Sequence, residues 1–383
     1  MKKTLMVAAL TGVFATAAHA QSSVTLYGLI DAGITYTNNQ NGHSNWKATS
    51  GAVNGSRWGL RGSEDLGGGL KAIFTLENGF NIMNGTNGQG GREFGRQAYV
   101  GLSSNQFGAV TLGRQYDSVV DFLGPLALTG TQYGGTQFAH PFDNDNLTNT
   151  FRVDNSVKYT SANYAGLKFG AMYGFSNQAG GFANNRAYSA GVSYNYGPLN
   201  VAGAYFQTNN GAPVNAAGAA IAGGAVTADQ APFSAGRQRI FGGGLNYAFG
   251  PATVGFVFTQ TMLDSGVGLT NVGSQGLGNI ALGNSVRFQN YEVNGRYNLT
   301  PALSLAANYT FTDARIEGVK PKFHQVDLQT AYALSKRTDV YLQGEYQHVT
   351  NTDGTNIGAT INGVGISSTS NQVSATVGVR HRF

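Results

Sequence analysis

The last thirteen residues, Asn371 to Phe383 (NQVSATVGVRHRF), decide the fold because their polarity alternates with a period of two. One set of alternate positions is mostly apolar and contains Val373, Ala375, Val377, Val379, His381 and Phe383. The other set is polar, charged or glycine and contains Gln372, Ser374, Thr376, Gly378, Arg380 and Arg382. This alternation is typical of a β-strand with one apolar face and one wet face.

The same alternation recurs along the whole chain and predicts an all-β protein. It indicates sixteen strands. We expect them to start near Val24, Asn54, Gly69, Arg92, Gly108, Val153, Leu167, Ala187, Leu199, Arg237, Ala252, Val286, Ala302, Phe323, Asp339 and Asn371.

The connections between these strands alternate strictly between short turns and long polar loops. Short turns include Asp65 to Gly68, Gly197-Pro198, Gly250-Pro251 and Thr300-Pro301. Long loops include Thr37 to Val53, Gln207 to Gly236, Thr261 to Ser285 and Thr350 to Ser370. Bacterial outer-membrane barrels have this anatomy, with an even number of antiparallel strands, short periplasmic turns and long extracellular loops.

Aromatic residues of the apolar face cluster near both ends of the strands, as expected of two girdles at two membrane interfaces. Those near the short turns are Tyr196, Phe249, Tyr297, Tyr332 and Phe383. Those near the long loops are Tyr36, Phe80, Phe175, Tyr205, Phe258 and Phe311. A soluble β-sandwich is the alternative, but it gives no reason for the connections to sort by end.

The first twenty residues have the features of a secretory signal. Lys2 and Lys3 precede an apolar stretch from Leu5 to Ala18, and Ala18-His19-Ala20 is a small-residue cleavage site. We therefore expect residues 1–20 to be removed and residues 21–383 to form a single barrel domain in the bacterial outer membrane. The apolar stretch is shorter than the roughly twenty residues of a membrane-spanning helix.

Composition agrees with an exported barrel. The chain has no cysteine, so disulfides cannot stabilise it. Because an open sheet edge in hydrocarbon leaves backbone groups unpaired, the strand from Val24 should pair with the strand ending at Phe383. Charged residues make up 11%, against about 25% in soluble domains. Without Lys2 and Lys3 the net charge is 24 − 2 − 19 = +3, too little to indicate nucleic-acid binding.

Several motifs resemble those of the Gram-negative general diffusion porins, most closely the beta-proteobacterial branch, over the whole length from Gln21 to Phe383. They are Ser22 to Gly28 (SSVTLYG), Ser56 to Gly62 (SRWGLRG), Arg96 to Leu102 (RQAYVGL), Asn155 to Tyr159 (NSVKY), Leu334 to Thr338 (LSKRT) and the terminal Phe383. The resemblance implies a homotrimer of transmembrane antiparallel 16-stranded β-barrels. It also implies a water-filled channel for passive diffusion of small hydrophilic solutes and ions, without cofactor, metal or enzymatic activity. The implied partners are outer-membrane lipid, lipopolysaccharide and the barrel-assembly machinery, with Phe383 as the assembly signal.

The third long connection, from about Asp117 to Arg152, corresponds to the loop that folds inward and narrows the pore in such porins. It contains Asp117, Asp121, Asp143 and Asp145, so we expect it to bring negative charge into the pore. The resemblance places a basic wall opposite, at Arg57, Arg96 and Arg152. Periodicity independently points Arg57 and Arg61 into the lumen, because Trp58 and Leu60 occupy the opposite face. We expect a weak preference for anions.

Three other interpretations are weighed against this one. A substrate-specific channel with a lumen binding site should show an aromatic ladder or a ring of lysines inside the barrel. An enzyme on the barrel would need a catalytic group that the scattered histidines do not mark. Asp143-Asn144-Asp145 resembles the start of a calcium loop, but Thr148 stands where a glycine is required.

Overall fold

The protein, in a computed structural model, is a closed antiparallel β-barrel. The structure describes residues 22–211, 223–227, 229–269, 280–316, 318–352 and 357–383. The predicted signal, residues 1–20, lies outside the described residues. The strands are β1 Ser23–Gln40, β2 His43–Ser50, β3 Arg57–Gly67, β4 Leu70–Gly79, β5 Gln97–Ser104, β6 Gly108–Gln115, β7 Val153–Thr160, β8 Leu167–Gly174, β9 Arg186–Tyr196, β10 Leu199–Gly211, β11 Phe233–Phe249, β12 Ala252–Leu269, β13 Ile280–Asn298, β14 Leu303–Ile316, β15 Lys322–Ala333, β16 Thr338–Thr350 and β17 Asn371–Arg382.

The barrel closes between its first and last strands, as the sequence predicts. β1 pairs with β17 from Leu29 opposite Arg382 to Thr37 opposite Ser374. Beyond that register the amide of Phe383 donates to the carbonyl of Gly28 over 3.1 Å, and the amide of Gly28 donates back over 3.0 Å. The sheet therefore has no open edge, which is the condition that hydrocarbon imposes.

Seventeen strands fill sixteen positions of the barrel, because β2 and β3 share one. Residues 32–40 of β1 pair with β2, and residues 23–29 pair with β3. The sequence-based prediction of a loop over Thr37 to Val53 is therefore wrong over most of its length. The amphipathic alternation that identifies a membrane strand is weak in β2, where polar residues stand on both faces.

Other strand limits differ from the predictions at the long-loop end. β11 starts at Phe233 and β13 at Ile280, earlier than the predicted Arg237 and Val286, while β5 starts at Gln97 instead of Arg92. The hydrogen-bonded ladder of β11, β12 and β13 continues past the aromatic girdle. Beyond the girdle the strands are no longer surrounded by hydrocarbon, so their outward residues need not be apolar. The alternation of polarity in the sequence therefore ends before the strand does.

The two faces of the wall have the predicted orientation. Val377 and Leu328 are each 56% exposed on the outer surface, whereas Gln372 and Gln329 on the inner surface are 0% and 4% exposed. The apolar face therefore points to lipid and the polar face points inward.

Glycines serve turns and close packing in the wall. Gly67, Gly68 and Gly69 all have positive φ in the turn between β3 and β4. A methyl group at Gly242 in β11 would lie 2.3 Å from the carbonyl oxygen of Phe258 on β12.

The connection between β6 and β7 folds inside the barrel as a series of helical turns, which confirms the predicted inward loop. A π-helical turn covers Val119–Leu123, and 3-10 turns cover Gly124–Leu126, Leu128–Gly130, Thr136–Phe138 and Pro141–Asp143. Among the described residues, no helix has both the length and the apolar character needed to cross a bilayer.

Candidate functional site

The inward connection, residues 116–152, is called loop L3 below, and it lines one side of the lumen. Its backbone carbonyls accept hydrogen bonds from side chains of the wall. Asn294 donates to Leu126, Gln325 to Ala139 and Gln343 to Gly134. Because these wall residues lie on β13, β15 and β16, L3 covers the inner face of that part of the barrel.

Apolar contacts reinforce this docking at two places. Leu123, Leu126 and Phe151 of L3 belong to one buried cluster with Phe206 and Ile240 of the wall. Phe142 of L3 belongs to a second cluster with Phe233, Phe288 and Phe323, at ring-centroid distances of 6.0–6.4 Å. L3 is therefore held on the inner face of the barrel by two apolar clusters as well as by polar side chains of the wall.

A buried histidine links L3 to the wall. His140 Nδ1 lies 2.6 Å from Asp145 Oδ2, and Nε2 lies 3.0 Å from Glu292 Oε2 on β13. All three side chains are fully buried. Burial disfavours the charged imidazole, but the two carboxylates outweigh it and raise the pKa of His140 to about 10. The imidazolium therefore bridges the loop to the strand.

Three of the four predicted acidic residues of L3 have no contact with solvent. Asp117 accepts hydrogen bonds from Val119 and Asn146, and Asp143 accepts from the amides of Thr148 and Thr150. Asp145 binds His140 as described. Each is at most 1% exposed, so these carboxylates hold the shape of the loop. The burial does not support the expectation that they bring charge into the pore.

Asp121 is the fourth, and it does line the lumen. Its carboxylate lies 2.6 Å from Nζ of Lys158 on β7, which also donates to the carbonyl of Tyr116 over 2.9 Å. The only predicted loop acid at the lumen surface is thus already paired with a lysine.

The open part of the lumen includes two adjoining cavities of about 650 and 550 Å3, lined mainly by the strands from β1 to β11 and by L3. Gln97 and Tyr99 line both cavities. Their other polar lining residues include Thr111, Gln115, Ser193, Asn195, Asn200 and Asn246. A path with such a lining is polar and offers hydrogen bonds to water and to solutes.

Glu77 on β4 contacts two of the predicted basic residues of the wall, Arg57 and Arg96. Its Oε1 accepts a 2.8 Å hydrogen bond from Nε of Arg96, and its Oε2 accepts one of 2.9 Å from the hydroxyl of Tyr27. Nε of Arg57 lies 3.9 Å from the same Oε2. Arg96 also donates to the hydroxyl of Tyr116 over 2.9 Å. One carboxylate therefore fixes two arginines and two tyrosines in one place.

The other two predicted arginines, Arg61 and Arg152, lie over the rings of Tyr27 and Tyr116. The guanidinium of Arg61 lies 4.1 Å from the ring centroid of Tyr27, within cation–π range. That of Arg152 lies 5.3 Å from the ring centroid of Tyr116 and donates to the carbonyl of Thr150. Arg57 and Arg61 reach the open lumen, whereas Arg96 and Arg152 are buried behind them.

Several charged residues of the lumen were not singled out from the sequence. Glu77, Lys158, Lys168 and Arg296 all line it. The signal was available, because each stands at an inward position of its strand. Glu77 shares a cross-strand row with Gly59 and Gln97.

The charge of the lining is positive. The basic side chains along the two cavities are Arg57, Arg61, Arg382, Lys158, Lys168 and Arg296, and the acidic ones are Glu77 and Asp121. Six minus two gives a net charge of +4. The positive charge comes from several strands, and two of the four predicted arginines, Arg57 and Arg61, contribute to it.

Phe383 ends the last strand at the short-turn side of the barrel. Its ring packs against Gly28, where a methyl group would lie 2.3 Å from the ring, and it is 41% exposed. Its position is that of a surface aromatic at the strand end, and its role in assembly stays a prediction.

Within the described ranges, no three or more His, Cys, Asp or Glu residues come together to hold a metal ion. Asp143 and Asp145, the two acids of the calcium-like motif, are engaged in the contacts given above.

Comparison with known proteins identifies a family model and relatives that match this chain. A model of the Gram-negative porin family matches residues 5–354. The chain is 35% identical to an outer membrane porin protein of Bordetella pertussis, over 90% of this chain and 94% of that protein. It is 29% identical to outer membrane porin protein 32 of Delftia acidovorans, over 100% of both chains.

Solved structures agree with these matches. The anion-selective porin from Comamonas acidovorans superposes with a TM-score of 0.71 at 26% identity, covering 95% of this chain and 100% of that one. An outer membrane protein of Vibrio cholerae superposes in its trimer form with a TM-score of 0.65 at 17% identity, covering 94% and 99%. At 17% identity, the match to the Vibrio cholerae protein supports the fold alone.

Proposed function

Because this chain belongs to the Gram-negative porin family, we propose that it is a weakly anion-preferring pore. It is an outer-membrane porin, and its water-filled channel lets small hydrophilic solutes and ions diffuse passively.

The net charge of +4 along the lumen carries the proposal. In water, two unit charges 4 Å apart interact by about 1 kcal/mol, and a tenfold preference needs about 1.4 kcal/mol. Each lumen charge therefore biases permeation without blocking the opposite sign. We assign the largest share of the anion preference to Arg57 and Arg61. Of the arginines grouped around Glu77 and its tyrosine partners, these two reach the open lumen.

Assembly follows the family. We propose that residues 1–20 are removed on export, that Phe383 is read by the barrel-assembly machinery, and that the mature chain forms a homotrimer. Outward-facing Trp46 and Tyr36, whose ring centroids are 4.9 Å apart, support a protein contact on the side of β1 and β2. Trp46 is 71% exposed in the single chain. Contact with the outer surface of a neighbouring barrel would cover this apolar side chain.

Planar-bilayer recording tests the pore. Purified protein is reconstituted in a neutral bilayer, and conductance steps and the reversal potential are measured across a salt gradient. Stepwise conductance with a reversal potential toward the anion equilibrium value is the expected result. A reversal potential on the cation side would contradict the anion preference, and an absence of steps would contradict the pore itself.

A substrate-specific channel is the second candidate, because Tyr27 and Tyr99 line the lumen. The hydroxyls of Tyr27 and of the neighbouring Tyr116 are engaged with Glu77 and Arg96, and that of Tyr99 with Thr75, which argues that two of these three rings position charged groups. Saturation of the current at low concentrations of a sugar or phosphate would favour the specific channel, whereas a current that rises linearly favours diffusion. No catalytic step is proposed for this chain.

A further inference from the structure

The wall of the barrel is irregular where β2 ends and β3 begins. β1 pairs with β2 as far as Ala32 and with β3 from Leu29 onward, so residues 30–31 stand opposite residues 51–56. In a regular antiparallel ladder one residue faces one residue. Six residues against two leave an excess of 6 − 2 = 4, and an excess of this kind leaves the plane of the sheet. We call residues 51–56 the shelf.

The shelf projects into the barrel. Its residues Ala52 and Val53 are each 1% exposed and form a buried cluster with Ala331 of β15 and Tyr341 of β16. β1 and β17 lie between β3 and these two strands. The shelf therefore extends over the inner face of the wall from β3 as far as β16.

Asp31 of β1 holds the shelf through hydrogen bonds along its length. Its carboxylate oxygen Oδ2 accepts from the amides of Val53 and Asn54, over 3.0 and 2.7 Å. Its backbone amide donates to the hydroxyl of Ser56 over 3.0 Å, and its carbonyl accepts from the amide of Gly51 over 2.9 Å. Asp31 is fully buried. Because buried backbone amides need acceptors, this one residue fixes the path of the shelf.

The shelf contacts the turn of L3 at residues 131–136. The carbonyl of Val53 accepts a 3.0 Å hydrogen bond from the amide of Thr136, and Nδ2 of Asn54 donates to the carbonyl of Thr131 over 3.3 Å. Gly135 has a φ of +70°, and a methyl group on it would lie 1.7 Å from the carbonyl oxygen of Val53. The two backbones therefore touch with no side chain between them, and a movement of the shelf would move this turn.

The far end of the shelf contacts the arginines of the wall. The carbonyl of Gly55 accepts from Nη1 of Arg57 over 3.4 Å, and a methyl group on Gly55 would lie 3.4 Å from Nη1 of Arg96. Oδ1 of Asn54 accepts from Nη1 of Arg380 over 2.6 Å. The shelf therefore touches both L3 and the basic residues that line the lumen.

We propose that Asp31 is a positioning residue for ion permeation, which acts through the shelf to fix the distance between Arg57 and the L3 turn at residues 131–136. Without the carboxylate, the amides of Val53 and Asn54 lose their acceptors in a buried place. Such donors are costly, so the shelf leaves its position to reach water. Arg57 and L3 then lose their common support, and the gap between them widens. The inference deepens the proposed anion-preferring pore and rests on it.

The sign of the change in selectivity separates positioning from charge. Loss of a negative charge at Asp31 by itself favours anions, since less repulsion acts on them. Loss of the position of Arg57 has the opposite sign, because a guanidinium in a wider gap acts on permeating ions from further away. A role in stability alone changes the selectivity in neither direction.

Planar-bilayer recording of the purified mature protein tests this role with three variants. Asp31→Ala removes the acceptors of the shelf. Asp31→Asn removes the charge and keeps the geometry, because its Oδ1 can accept from both amides while Nδ2 donates to the hydroxyl of Tyr341. Tyr341→Phe is the matched control, since it removes the 2.6 Å hydrogen bond to Oδ1 of Asp31 and leaves the shelf amides bound. The reversal potential gives the permeability ratio, and exclusion of graded polyethylene glycols gives the width of the pore.

Asp31→Ala should lower the ratio of anion to cation permeability by about twofold to fivefold, and it should admit a polymer that the wild type excludes. D31N should keep the wild-type size limit, with a permeability ratio equal to or above that of the wild type. Y341F should keep both quantities, even though its unfolding temperature falls. An unchanged ratio and size limit in D31A would overturn the proposal. So would a raised ratio in D31A, or a ratio that falls as far in D31N as in D31A.

A variant of the shelf itself covers the case in which D31A does not fold. Asn54→Ala removes the side-chain bonds to Thr131 and Arg380 and leaves the amides of the shelf bound to Asp31. It should lower the permeability ratio in the same direction as D31A, by a smaller factor. A wild-type ratio and size limit in N54A would contradict a role of the shelf in the pore.

The size limit separates this test from that of the proposed function. A wild-type pore without anion preference would contradict the proposed selectivity. The comparison of polymer exclusion between D31A and the wild type would still decide whether the shelf sets the width, because the exclusion of a neutral polymer does not depend on charge.

Discussion

Arg96 and Glu77 form a buried ion pair at the centre of the pore wall, with 2.8 Å between Nε and Oε1 and side chains only 9% and 6% exposed. The same carboxylate is 3.9 Å from Arg57 and accepts a hydrogen bond from Tyr27. Glu77 therefore holds the geometry of Arg57 and Arg96 on this part of the pore wall.

Replacing Glu77 by Gln should have two effects. It removes a negative charge from the lumen, so the reversal potential should move further toward anions, by a permeability ratio of up to about fivefold for one charge. It also leaves Arg96 buried without a counter-charge, which costs about 3–5 kcal/mol when one partner of a buried pair is lost. Planar-bilayer recording and thermal unfolding measure the two effects.

Glu64→Gln is the matched control, because Glu64 on the same strand as Arg57 lies near the short turn, outside the cluster. It should change neither quantity appreciably. If E77Q kept both the wild-type reversal potential and the wild-type unfolding temperature, Glu77 would not organise the wall.

Arg57→Gln and Arg61→Gln should each shift the reversal potential toward cations, because both side chains reach the open lumen. The change in the permeability ratio should be at most about fivefold for each. R57Q should leave the unfolding temperature nearly unchanged, since its ion pair at 3.9 Å is long and its side chain is 26% exposed. Arg337→Gln, on the exposed turn between β15 and β16, is the control. A reversal potential that moves as far in R337Q as in R57Q would remove Arg57 from the constriction.

The docking of L3 should weaken at alkaline pH through His140. An ordinary histidine has a pKa of about 6.5, and the two carboxylates raise the pKa of His140 to about 10. A raised pKa means that the charged form stabilises the folded state fully below about pH 6.5 and loses this contribution as the pH rises through about 10. Current noise from loop motion should therefore increase, and the unfolding temperature should fall, between pH 7 and pH 10.5.

His140→Gln isolates this effect, because it keeps a side chain of similar polarity without the charge. Its noise and unfolding temperature at pH 7 should resemble those of the wild type at pH 10.5, with a much smaller further dependence on pH. His43→Gln, at an exposed histidine that begins β2, should behave as the wild type. The same pH dependence in H140Q and the wild type would assign the transition to another group.

Sequence patterning predicts the barrel well because hydrocarbon enforces it residue by residue. Val377 and Gln372 had to face opposite sides, and the strand ending at Phe383 had to close on β1. The same reasoning missed β2 and the upper parts of β11 and β13, since outside the hydrocarbon both faces of a strand can be polar.

The interior of L3 could not be predicted in this way. Asp145 contacts Thr259 and Asn290, more than one hundred positions away, and nothing periodic in the loop indicates these partners. Arg57 and Arg61 were found because they lie on a strand with an apolar opposite face. The resemblance places Asp117, Asp143 and Asp145 on the inward loop, but their position in the chain does not reveal that the folded loop buries them.

Glu345 on β16 offers a last prediction, because it faces Asp327 on β15 directly across the sheet. Both are at most 2% exposed, and no basic side chain of the described residues lies within 4.0 Å of the Glu345 carboxyl group. Two acids in such a position disfavour each other's charge, and cross-strand pairs contribute about 0.2–1 kcal/mol. Glu345→Gln should therefore raise the thermal unfolding temperature slightly or leave it unchanged, although it removes a native buried carboxyl group.

Asp327→Asn should do the same, and the double variant should gain less than the sum, since either substitution alone removes the repulsion. Glu292→Gln is the contrast, because that carboxylate binds His140 and its loss should lower the unfolding temperature. A clear loss of stability in E345Q would mean that its carboxylate is bound by a positive group, and the assignment of a strained acid pair behind L3 would be wrong.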